Sequence, residues 1–513
     1  MNSVTRVLKS NIDSLIASAV GFTIIMLFTQ YSGIGISPDS IAYTCASRNF
    51  IATGSFTDII GLPLVAFPLF YPFFLSILMF ITQTDIISIA PYLNGFLFAT
   101  VIFLSGFIIE KFKYKTKLYK RILLTIITFC PSLIEVYTML WSETLFILLV
   151  LVFILFFHRY FRAHSITTLV TAAIVAALAF DTRYAGITLI ATGCMLIFFD
   201  KNLGWRKKTE HILLFGSIGV SLAAFNLIRN VLENGLATGM RQKGITTLSK
   251  NIEFSGGVLS DWFTIQFRGQ FFFEILAGAI MILFVVFFIR NIRHWKAYYT
   301  YENASVAFFI VYVLFIIISS TISRYETINN RLLVPAFLPA LWISTCQIPK
   351  WRAKLPHQKL RWIFFAFSVG IGTVVIGSYF AINKENLSYM KETGIPGYTE
   401  DTWTKSRIVN YLQKNGEYFD PDSTVYSNHS QAVYFLTNHS VSSLPERVYK
   451  QDVKEFLAES PIVLIWFYND PNPDLLTMKE IRQCKKVERV KSFSDGAIYI
   501  LKNKWSRSFR PDN

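Results

Sequence analysis

Apolar runs of about twenty residues, separated by short polar turns, fill most of the chain up to residue 382. A helix of about 20 residues is long enough to cross the roughly 30 Å hydrocarbon core of a bilayer. The pattern therefore predicts about eleven membrane-spanning helices. They lie near 13–31, 88–109, 122–139, 144–158, 166–180, 186–199, 211–229, 271–289, 303–322, 332–348 and 362–382.

The pattern changes near residue 383, where polar positions become frequent and the apolar runs shorten. We expect a transmembrane domain over 1–382 and a small α/β domain over 383–513. The fold class is then an all-α polytopic membrane protein with juxtamembrane helices and a C-terminal α/β domain. In that domain, strand-like runs occur at 423–427, 462–467 and 497–501, and helical patterns at 402–413 and 452–458.

Composition agrees with a membrane protein and excludes other classes. Hydrophobic residues make up 53% of the 513 positions and charged residues 16%, whereas soluble proteins average about 25% charged residues. The net charge of +16 bears first on membrane topology, because no basic run is interleaved with aromatics as nucleic-acid binding requires. We expect the lipid bilayer as a partner and no nucleic acid. The five cysteines are scattered, which argues against a disulfide framework.

The distribution of Lys and Arg sets the predicted orientation. The run 63–82 is apolar but rich in proline; if it spanned, the basic loop 110–121 would lie outside. We expect 63–82 to lie in the interface or re-enter, which makes that loop cytoplasmic as the positive-inside rule requires. The predicted cytoplasmic segments then hold 22 Lys and Arg among 67 residues. They are 1–12, 110–121, 158–165, 200–210, 290–300 and 349–361. We expect an integral protein of the bacterial cytoplasmic (inner) membrane, with the C-terminal domain extracytoplasmic.

The first polar segment after the first apolar run predicts a short helix at the membrane surface. Ser37 suits the N-cap, Pro38 the first helical position and Gly54 the helix end. Asp39 lies in the first turn, and Tyr43 follows one turn later on the same face. Two readings of Asp39 stay open: it complements the helix dipole, or it is a reactive carboxylate at the water–lipid boundary.

Further ionisable residues fall at tight turns on the predicted outer side. Arg324 and Glu326 fit interfacial anchors. Glu143 and Arg183 fit that role less well, since their turns are too short to swing a charge into bulk water. No His-Glu-Xaa-Xaa-His pattern, paired cysteines or glycine-rich phosphate loop occurs, so no metal site is predicted from motifs. The whole set is Asp39, Glu143, Asp181, Arg183, Arg324, Glu326 and Arg331.

An ordered set of motifs resembles the C-type membrane glycosyltransferases. That family includes protein mannosyltransferases (glycosyltransferase family 39) and the aminoarabinose transferases of lipid A. The resemblance covers roughly residues 10–350, in matching order. Its motifs are the first outer loop at 38–56, the proline-rich segment 67–75, Trp141-Ser-Glu-Thr-Leu-Phe146, Asp181-Thr-Arg-Tyr-Ala-Gly186 and Asn330-Arg-Leu-Leu-Val-Pro335 with the residues up to Pro339.

The resemblance implies the GT-C fold and transfer of a sugar from a polyprenyl-phosphate donor to a glycan, lipid or protein acceptor. A phosphate leaving group needs cationic stabilisation rather than an acid, so one carboxylate suffices as base and direct displacement inverts the anomeric centre. We expect Asp39 and Glu143 as catalytic residues. We expect Tyr43, Arg183 and Arg331 to bind substrate.

Two departures from the family pattern affect these expectations. Ser40 stands where many members have a second acid after Asp39, and Leu332 stands where tyrosine is common. If the second acid helps to hold a divalent metal in the family, Ser40 argues against metal use here. No cofactor is therefore predicted, and use of a divalent metal stays open as the less favoured alternative.

Two other functions remain as alternatives. One is a polytopic transporter or lipid flippase, although such proteins usually place ionisable or helix-breaking residues near the bilayer midplane. The other is an O-antigen ligase or polymerase that uses a pyrophosphate-linked donor. The type of donor consumed, a lipid monophosphate or a pyrophosphate, distinguishes the second alternative from the main hypothesis.

Overall fold

The chain forms two compact units in its computed structural model, which describes residues 11–113, 115–265, 269, 271–324, 326–415, 424–469 and 471–504. The first unit contains the residues up to Gln30 and Val65–Tyr389. The second contains Tyr31–Leu64 and the residues from Met390 onward. The second unit thus combines the first polar segment of the chain with its polar C-terminal part. The predicted domain boundary at 382/383 falls inside one continuous helix, Gln358–Thr393.

Helices dominate the chain up to residue 393. Short 3₁₀ turns at Tyr184–Gly186 and Val334–Ala336 interrupt them. The helix α2 belongs to the second unit, and the others lie wholly or mainly in the first. In chain order they are α1 (Ile12–Thr29), α2 (Pro38–Thr53), α3 (Phe70–Thr82), α4 (Ile86–Ile109), α5 (Lys117–Thr128), α6 (Pro131–Thr138), α7 (Glu143–Ala163), α8 (Ile166–Thr182), α9 (Ile187–Phe198), α10 (Trp205–Asn234), α11 (Leu248–Trp262), α12 (Phe272–Arg293), α13 (Trp295–Tyr298), α14 (Tyr301–Ile322), α15 (Asn330–Leu333), α16 (Phe337–Thr345), α17 (Ile348–Lys354) and α18 (Gln358–Thr393).

The predicted polytopic helical fold is confirmed. Within the described residues, eight helical segments are long and apolar enough to cross a membrane, and the bent pair α5–α6 makes a ninth. The predicted spans 166–180 and 186–199 form the shorter apolar helices α8 and α9. The helix α3 has 13 residues and rises about 20 Å, which is too short to cross a hydrocarbon core of roughly 30 Å by itself.

Two predicted elements of the first unit are corrected. The predicted helix 122–139 is broken into α5 and α6, which are bent by 45°, because Pro131 has no N–H to continue the hydrogen bonding. The predicted loop 230–270 contains the helix α11. The Gly256–Gly257 pair weakened the helical signal there, since glycine has a low helix propensity.

The centre of the first unit is distinguished from its periphery by burial. In the most apolar 18-residue stretch of each helix, 67% of the residues of α7 and 61% of those of α14 are buried. In α12 and α18 the share is 17% each. The exposed side chains on α12 and α18 are largely aliphatic or aromatic, such as Ile282 and Phe367. An apolar face without protein cover suits contact with lipid. The helices α7 and α14 therefore form the interior of the unit.

The second unit adds a five-stranded mixed sheet to α2, with the strand order β2-β1-β3-β5-β4. The strands β1, β2 and β3 are parallel, and β5 is antiparallel to both β3 and β4. Its core packs β3 and β5 against the helix Lys450–Ala458 through Phe456, Leu464 and Tyr499. The strands are β1 (Thr424–Ser427), β2 (Ser442–Ser443), β3 (Ile462–Phe467), β4 (Lys485–Ser492) and β5 (Gly496–Asn503).

The predicted runs 462–467 and 497–501 are confirmed as β3 and part of β5. The run 423–427 is confirmed from Thr424 as β1, and its first residue lies outside the described residues. The predicted helix 402–413 is wrong as one element, because Ser406 caps a new helix there and accepts from the Val409 N–H at 3.3 Å. The remaining helices are α19 (Asp401–Thr404), α20 (Arg407–Lys414), α21 (Ser430–Thr437), α22 (Lys450–Ala458) and α23 (Met478–Cys484).

Candidate functional site

Three turns that are far apart in sequence meet at one end of the helices of the first unit. Glu143 begins α7, Arg183 follows α8, and Arg331 lies on the short helix α15. The Glu143 carboxylate is buried, with Arg183 Nη1 2.6 Å from its Oε2 and Arg331 Nε 2.7 Å from its Oε1. One buried carboxylate is therefore shared by two arginines. Charge-assisted contacts of this length are the strong ones in proteins.

The turn that carries Glu143 is fixed by buried hydrogen bonds. The Asn94 side chain of α4 donates to the carbonyls of Tyr137 and Met139 at 3.0 and 2.8 Å. The Tyr137 hydroxyl donates to the Thr144 carbonyl at 3.1 Å. Backbone groups that leave a helix inside an apolar surrounding need such partners. The start of α7, and with it Glu143, is thus held in one position.

Arg183 is placed by the end of α8. Its backbone is extended, its N–H donates to the Ala179 carbonyl at 3.0 Å, and the Gly186 N–H donates back to the Arg183 carbonyl at 2.7 Å. A Cβ at Gly186 would overlap the backbone of Ala179, so the close approach requires glycine. Arg183 Nη1 also donates to the Ser142 hydroxyl at 3.0 Å. The sequence between Asp181 and Gly186 therefore aims an arginine at the start of α7.

Besides Glu143, an aromatic ring and a second carboxylate contact Arg331, and a cap fixes the helix that carries it. Asn329 caps α15, and its side chain accepts from the Leu332 N–H at 3.1 Å. The Arg331 guanidinium lies 4.1 Å from the centre of the Trp141 ring, in cation–π contact. The partly exposed Glu326 carboxylate lies 3.6 Å from Arg331 Nη1. The arginine is therefore oriented by an aromatic face and two carboxylates.

Arg324 has a different role. Its N–H donates to the Gln242 carbonyl at 3.0 Å, and its Nη1 donates to Gln242 Oε1 at 2.8 Å. These contacts fasten the segment after α10 to the end of α14. They fit a structural role for Arg324, whereas its role as an interfacial anchor stays a prediction.

Asp39 and Tyr43 lie on α2 in the second unit. The predicted caps are confirmed: α2 begins at Pro38 after Ser37 and ends at Thr53, and the following Gly54 has a left-handed φ of +77°. Asp39 is half-buried in the first turn, and Tyr43 is buried. Three of the five predicted site residues are thus brought together in the first unit, and the other two share one helix of the second.

Ser40, which stands where many family members have a second acid, takes part in the cap of α2. The Ser37 N–H donates to Ser40 Oγ at 3.0 Å, which closes a capping box at the start of α2. The side chain next to Asp39 is therefore engaged in folding and does not suit a two-carboxylate metal site. Among the residues that the structure describes, no group of three or more His, Cys, Asp or Glu is placed to hold a metal.

The sequence did not reveal every residue that builds the site. Asn94, Ser142 and Asn329 all position the Glu143 cluster, yet none carries a charge that marks it. Ser142 and Asn329 lie beside charged turn residues, which is a weak local signal. Asn94 lies in a long apolar run, where an isolated amide is a signal of buried polar contact.

No protein-family model matches the sequence, and no curated protein matches it. Solved structures do match. ArnT from Cupriavidus metallidurans in the apo state matches with a TM-score of 0.58 and 12% identity, over 94% of this chain and 97% of that one. The same protein bound to undecaprenyl phosphate matches with a TM-score of 0.56, also at 12% identity and over the same shares of the two chains.

A second match is the archaeal oligosaccharyltransferase AglB from Archaeoglobus fulgidus, in complex with an inhibitory peptide and a dolichol-phosphate. It has a TM-score of 0.51 and 10% identity, over 89% of this chain and 70% of that one. Both proteins are C-type membrane glycosyltransferases. The narrower resemblance to glycosyltransferase family 39 stays a prediction. From its own helices and from these two matches, the chain has the fold of the C-type (GT-C) membrane glycosyltransferases.

Proposed function

We propose that this protein is a membrane glycosyltransferase that moves a sugar from a polyprenyl-phosphate donor to an acceptor on the extracytoplasmic face. The observation that carries the proposal is the pair Arg183 and Arg331, fixed by buried Glu143 at one end of apolar helices. The polyprenyl tail of such a donor needs lipid, and its phosphate needs a cationic site at the lipid boundary. The fold and the two arginines supply both requirements.

Arginine suits this role because of its shape. A guanidinium presents five N–H donors in a planar fork that matches phosphate oxygens, and contact with Glu143 uses only part of that fork. The Arg183 and Arg331 side chains keep 17% and 12% of their surface exposed. Each can therefore donate to a phosphate while its contact with Glu143 holds it still.

The proposed chemistry is one displacement. The acceptor hydroxyl oxygen attacks the anomeric carbon of the donor, the bond from that carbon to the phosphate oxygen breaks, and the polyprenyl phosphate leaves with the bonding pair. The hydroxyl proton passes to Asp39, the proposed base. The leaving phosphate gains negative charge, which Arg183 and Arg331 stabilise. Attack from the opposite side inverts the anomeric centre.

Glu143 has a positioning role in this proposal rather than that of a second base. Its two oxygens contact Arg183 and Arg331, so it orients both guanidiniums toward one place. A carboxylate between two cations is a poor proton acceptor, because the cations stabilise its charged form. A substrate-binding role for Tyr43 remains a prediction.

The test uses purified protein in nanodiscs with a panel of donors. Undecaprenyl-phosphate mannose, glucose and galactose are compared with the same sugars on undecaprenyl pyrophosphate, and released lipid phosphate is followed by mass spectrometry. We expect turnover of a monophosphate donor and an inverted product by NMR. Turnover of the pyrophosphate donors alone would favour an O-antigen ligase or polymerase. Passage of an intact donor across the bilayer of sealed proteoliposomes, without cleavage, would favour a flippase.

Matched arginine variants test the phosphate site in the same assay. Arg183→Ala should weaken binding of the monophosphate donor at least about tenfold, since a charge-assisted hydrogen bond contributes about 1.5–3 kcal/mol. Arg206→Ala is the control, because Arg206 forms an exposed pair with Glu210 at 3.0 Å. Equal donor affinity in the two variants would remove Arg183 from the site.

A further inference from the structure

The second unit contains a cavity of about 630 Å³. This size is typical of small-ligand sites. One side of its wall is α2, through Pro38, Ile41 and Ala42, continued by the loop around Asp58. The rest of the wall comes from the loops that follow the parallel strands β1, β2 and β3.

The position of the cavity follows from the strand order. The chain leaves β1 to form β2 on one side and then crosses to form β3 on the other. Residues 428–431 follow β1, Ser443 and Glu446 lie at and after the end of β2, and residues 471–473 follow β3. Connections that diverge from one strand leave a crevice at the carboxyl ends of a parallel sheet, where ligands bind in α/β proteins. The cavity occupies this crevice.

Hydrogen bonds within the second unit make the wall rigid. The Asn428 amide donates to the Phe467 carbonyl at 2.9 Å, and its oxygen accepts from the Phe467 N–H at 2.9 Å. This pair ties the end of β1 to the end of β3. Asp58 Oδ1 accepts from the N–H groups of Ile60 and Leu62 at 3.0 and 2.9 Å, which fixes the opposite loop. The cavity is therefore held open by its own framework.

The lining favours one chemical class of ligand. Amide, hydroxyl and carboxylate side chains line the space together with apolar ones, and Tyr398 is among the lining residues. Among the described lining residues there is no Lys or Arg, and Asp58 and Glu446 contribute carboxylates, so apart from the His429 imidazole a phosphate or an acidic sugar has no cationic partner there. Carboxylates instead accept hydrogen bonds from hydroxyl groups, and amides both accept from and donate to them. The polar lining includes Asp58, Gln431, Ser443, Glu446 and Asn472.

We propose that this cavity binds an uncharged, hydroxyl-rich glycan. The further statement that this glycan is the acceptor rests on the proposed function. It is supported by α2, because the helix that forms one wall of the cavity also carries Asp39, the proposed base. A glycan in the cavity is then held by the same helix that would take its proton.

Direct binding, measured without any donor, tests the proposal on the full chain in nanodiscs. The probes are maltohexaose, mannohexaose and chitohexaose as neutral glycans and a polygalacturonate hexamer as an acidic one. Titration calorimetry measures each dissociation constant. A parallel arm uses the same neutral glycans attached to a lipid, which distinguishes a free oligosaccharide from a glycolipid as the source.

Variants locate the bound glycan. Gln431→Ala and Asn472→Ala remove one polar partner each and should weaken binding about fivefold, as expected for one neutral hydrogen bond. The control is Gln451→Ala, because Gln451 lies on α22 and donates to Glu455 at 2.8 Å on the exposed surface. It should bind like the wild type, and thermal unfolding should show all three variants folded.

Two results support the proposal and two overturn it. The proposal is supported if at least one neutral glycan binds and only the two cavity variants weaken that binding. It is also supported if the acidic hexamer binds at least tenfold more weakly than the neutral glycan. Absence of neutral binding at 10 mM probe (about 2.7 kcal/mol by the affinity relation), or equal binding of the acidic hexamer, overturns it. Because no donor is present, these outcomes are independent of donor turnover, which tests the proposed function separately.

Discussion

At the scale of single residues, the buried carboxylate of Glu143 is the feature of the first unit that depends most on its charged partners. An ion held away from water is costly unless strong partners surround it, and removing one partner of a buried pair costs about 3–5 kcal/mol. Arg183 and Arg331 each contact one of its oxygens. The sequence indicated these three residues because charges are rare in apolar helices, but it did not reveal that they contact one another.

Replacing Asp39 by Asn distinguishes a catalytic base from a dipole partner. If Asp39 is the base, Asp39→Asn should lower the transfer rate about 10²–10⁴-fold with the donor still bound. As a dipole partner it would contribute well under about 1 kcal/mol to stability. Asp401→Asn is the matched control, because Asp401 also lies in the first turn of a helix of the second unit. Similar rates for both variants would refute the base assignment.

Replacing Glu143 by Gln tests the positioning role. The change keeps the shape of the side chain but removes the charge between Arg183 and Arg331, so we expect about 3–5 kcal/mol of destabilisation. The donor KM should rise, because the guanidiniums lose their fixed orientation. A fall in kcat of about 10²–10⁴-fold with an unchanged donor KM would instead make Glu143 the base.

At the scale of elements, predictability followed the strength of the hydrophobic pattern. The strand β3 is an unbroken apolar run and was predicted with its bounds. The strand β4, Lys485–Ser492, was not, because it is a charged edge strand whose side chains mostly face solvent. The helix α11 was missed for a related reason, since its polar face and glycines resemble a loop. Pairing between distant elements, such as Asn94 with the turn before Glu143, leaves no pattern in one sequence.

The turn after α8 gives a prediction of its own. Gly186→Ala places a Cβ against the backbone of Ala179, and backbone cannot yield as a flexible side chain does. We expect about 1–3 kcal/mol of destabilisation from overpacking and weaker donor binding, because the turn carries Arg183. Gly278→Ala is the control, since a Cβ there meets nothing within 4 Å. Its unfolding temperature should be equal to or above that of the wild type; unchanged donor binding in Gly186→Ala would contradict the prediction.

At the scale of the whole molecule, the proposed function requires a defined orientation in the membrane. The positive-inside rule predicts that the basic loops lie on the cytoplasmic side and that the segment after residue 383 is extracytoplasmic. Exposed Cys484, in the second unit, provides a reporter already in the chain. Lys115 Nζ lies 2.8 Å from Glu110 Oε1. Lys115 provides a second labelling position, on the side of the membrane that is predicted to be opposite to Cys484.

Labelling with a membrane-impermeant maleimide tests this orientation. On intact spheroplasts the wild type should be labelled at Cys484, and Cys484→Ser should lose the signal. Lys115→Cys in the Cys484→Ser background should react only after the membrane is permeabilised. Labelling of Lys115→Cys on intact spheroplasts would reverse the orientation and exclude an extracytoplasmic active site.

The composition of the second unit also has a consequence for biosynthesis. The Ile36 carbonyl accepts from the Tyr398 N–H at 2.8 Å, and the Ser32 hydroxyl accepts from the Ile395 N–H at 2.9 Å. These partners are separated by about 360 residues, which a ribosome translates in roughly 18–70 s at about 5–20 residues per second. During that interval α2 emerges without the strands and loops that complete its unit. A nascent chain under insertion is therefore expected to lack the proposed transferase activity until the strands of this unit are translated.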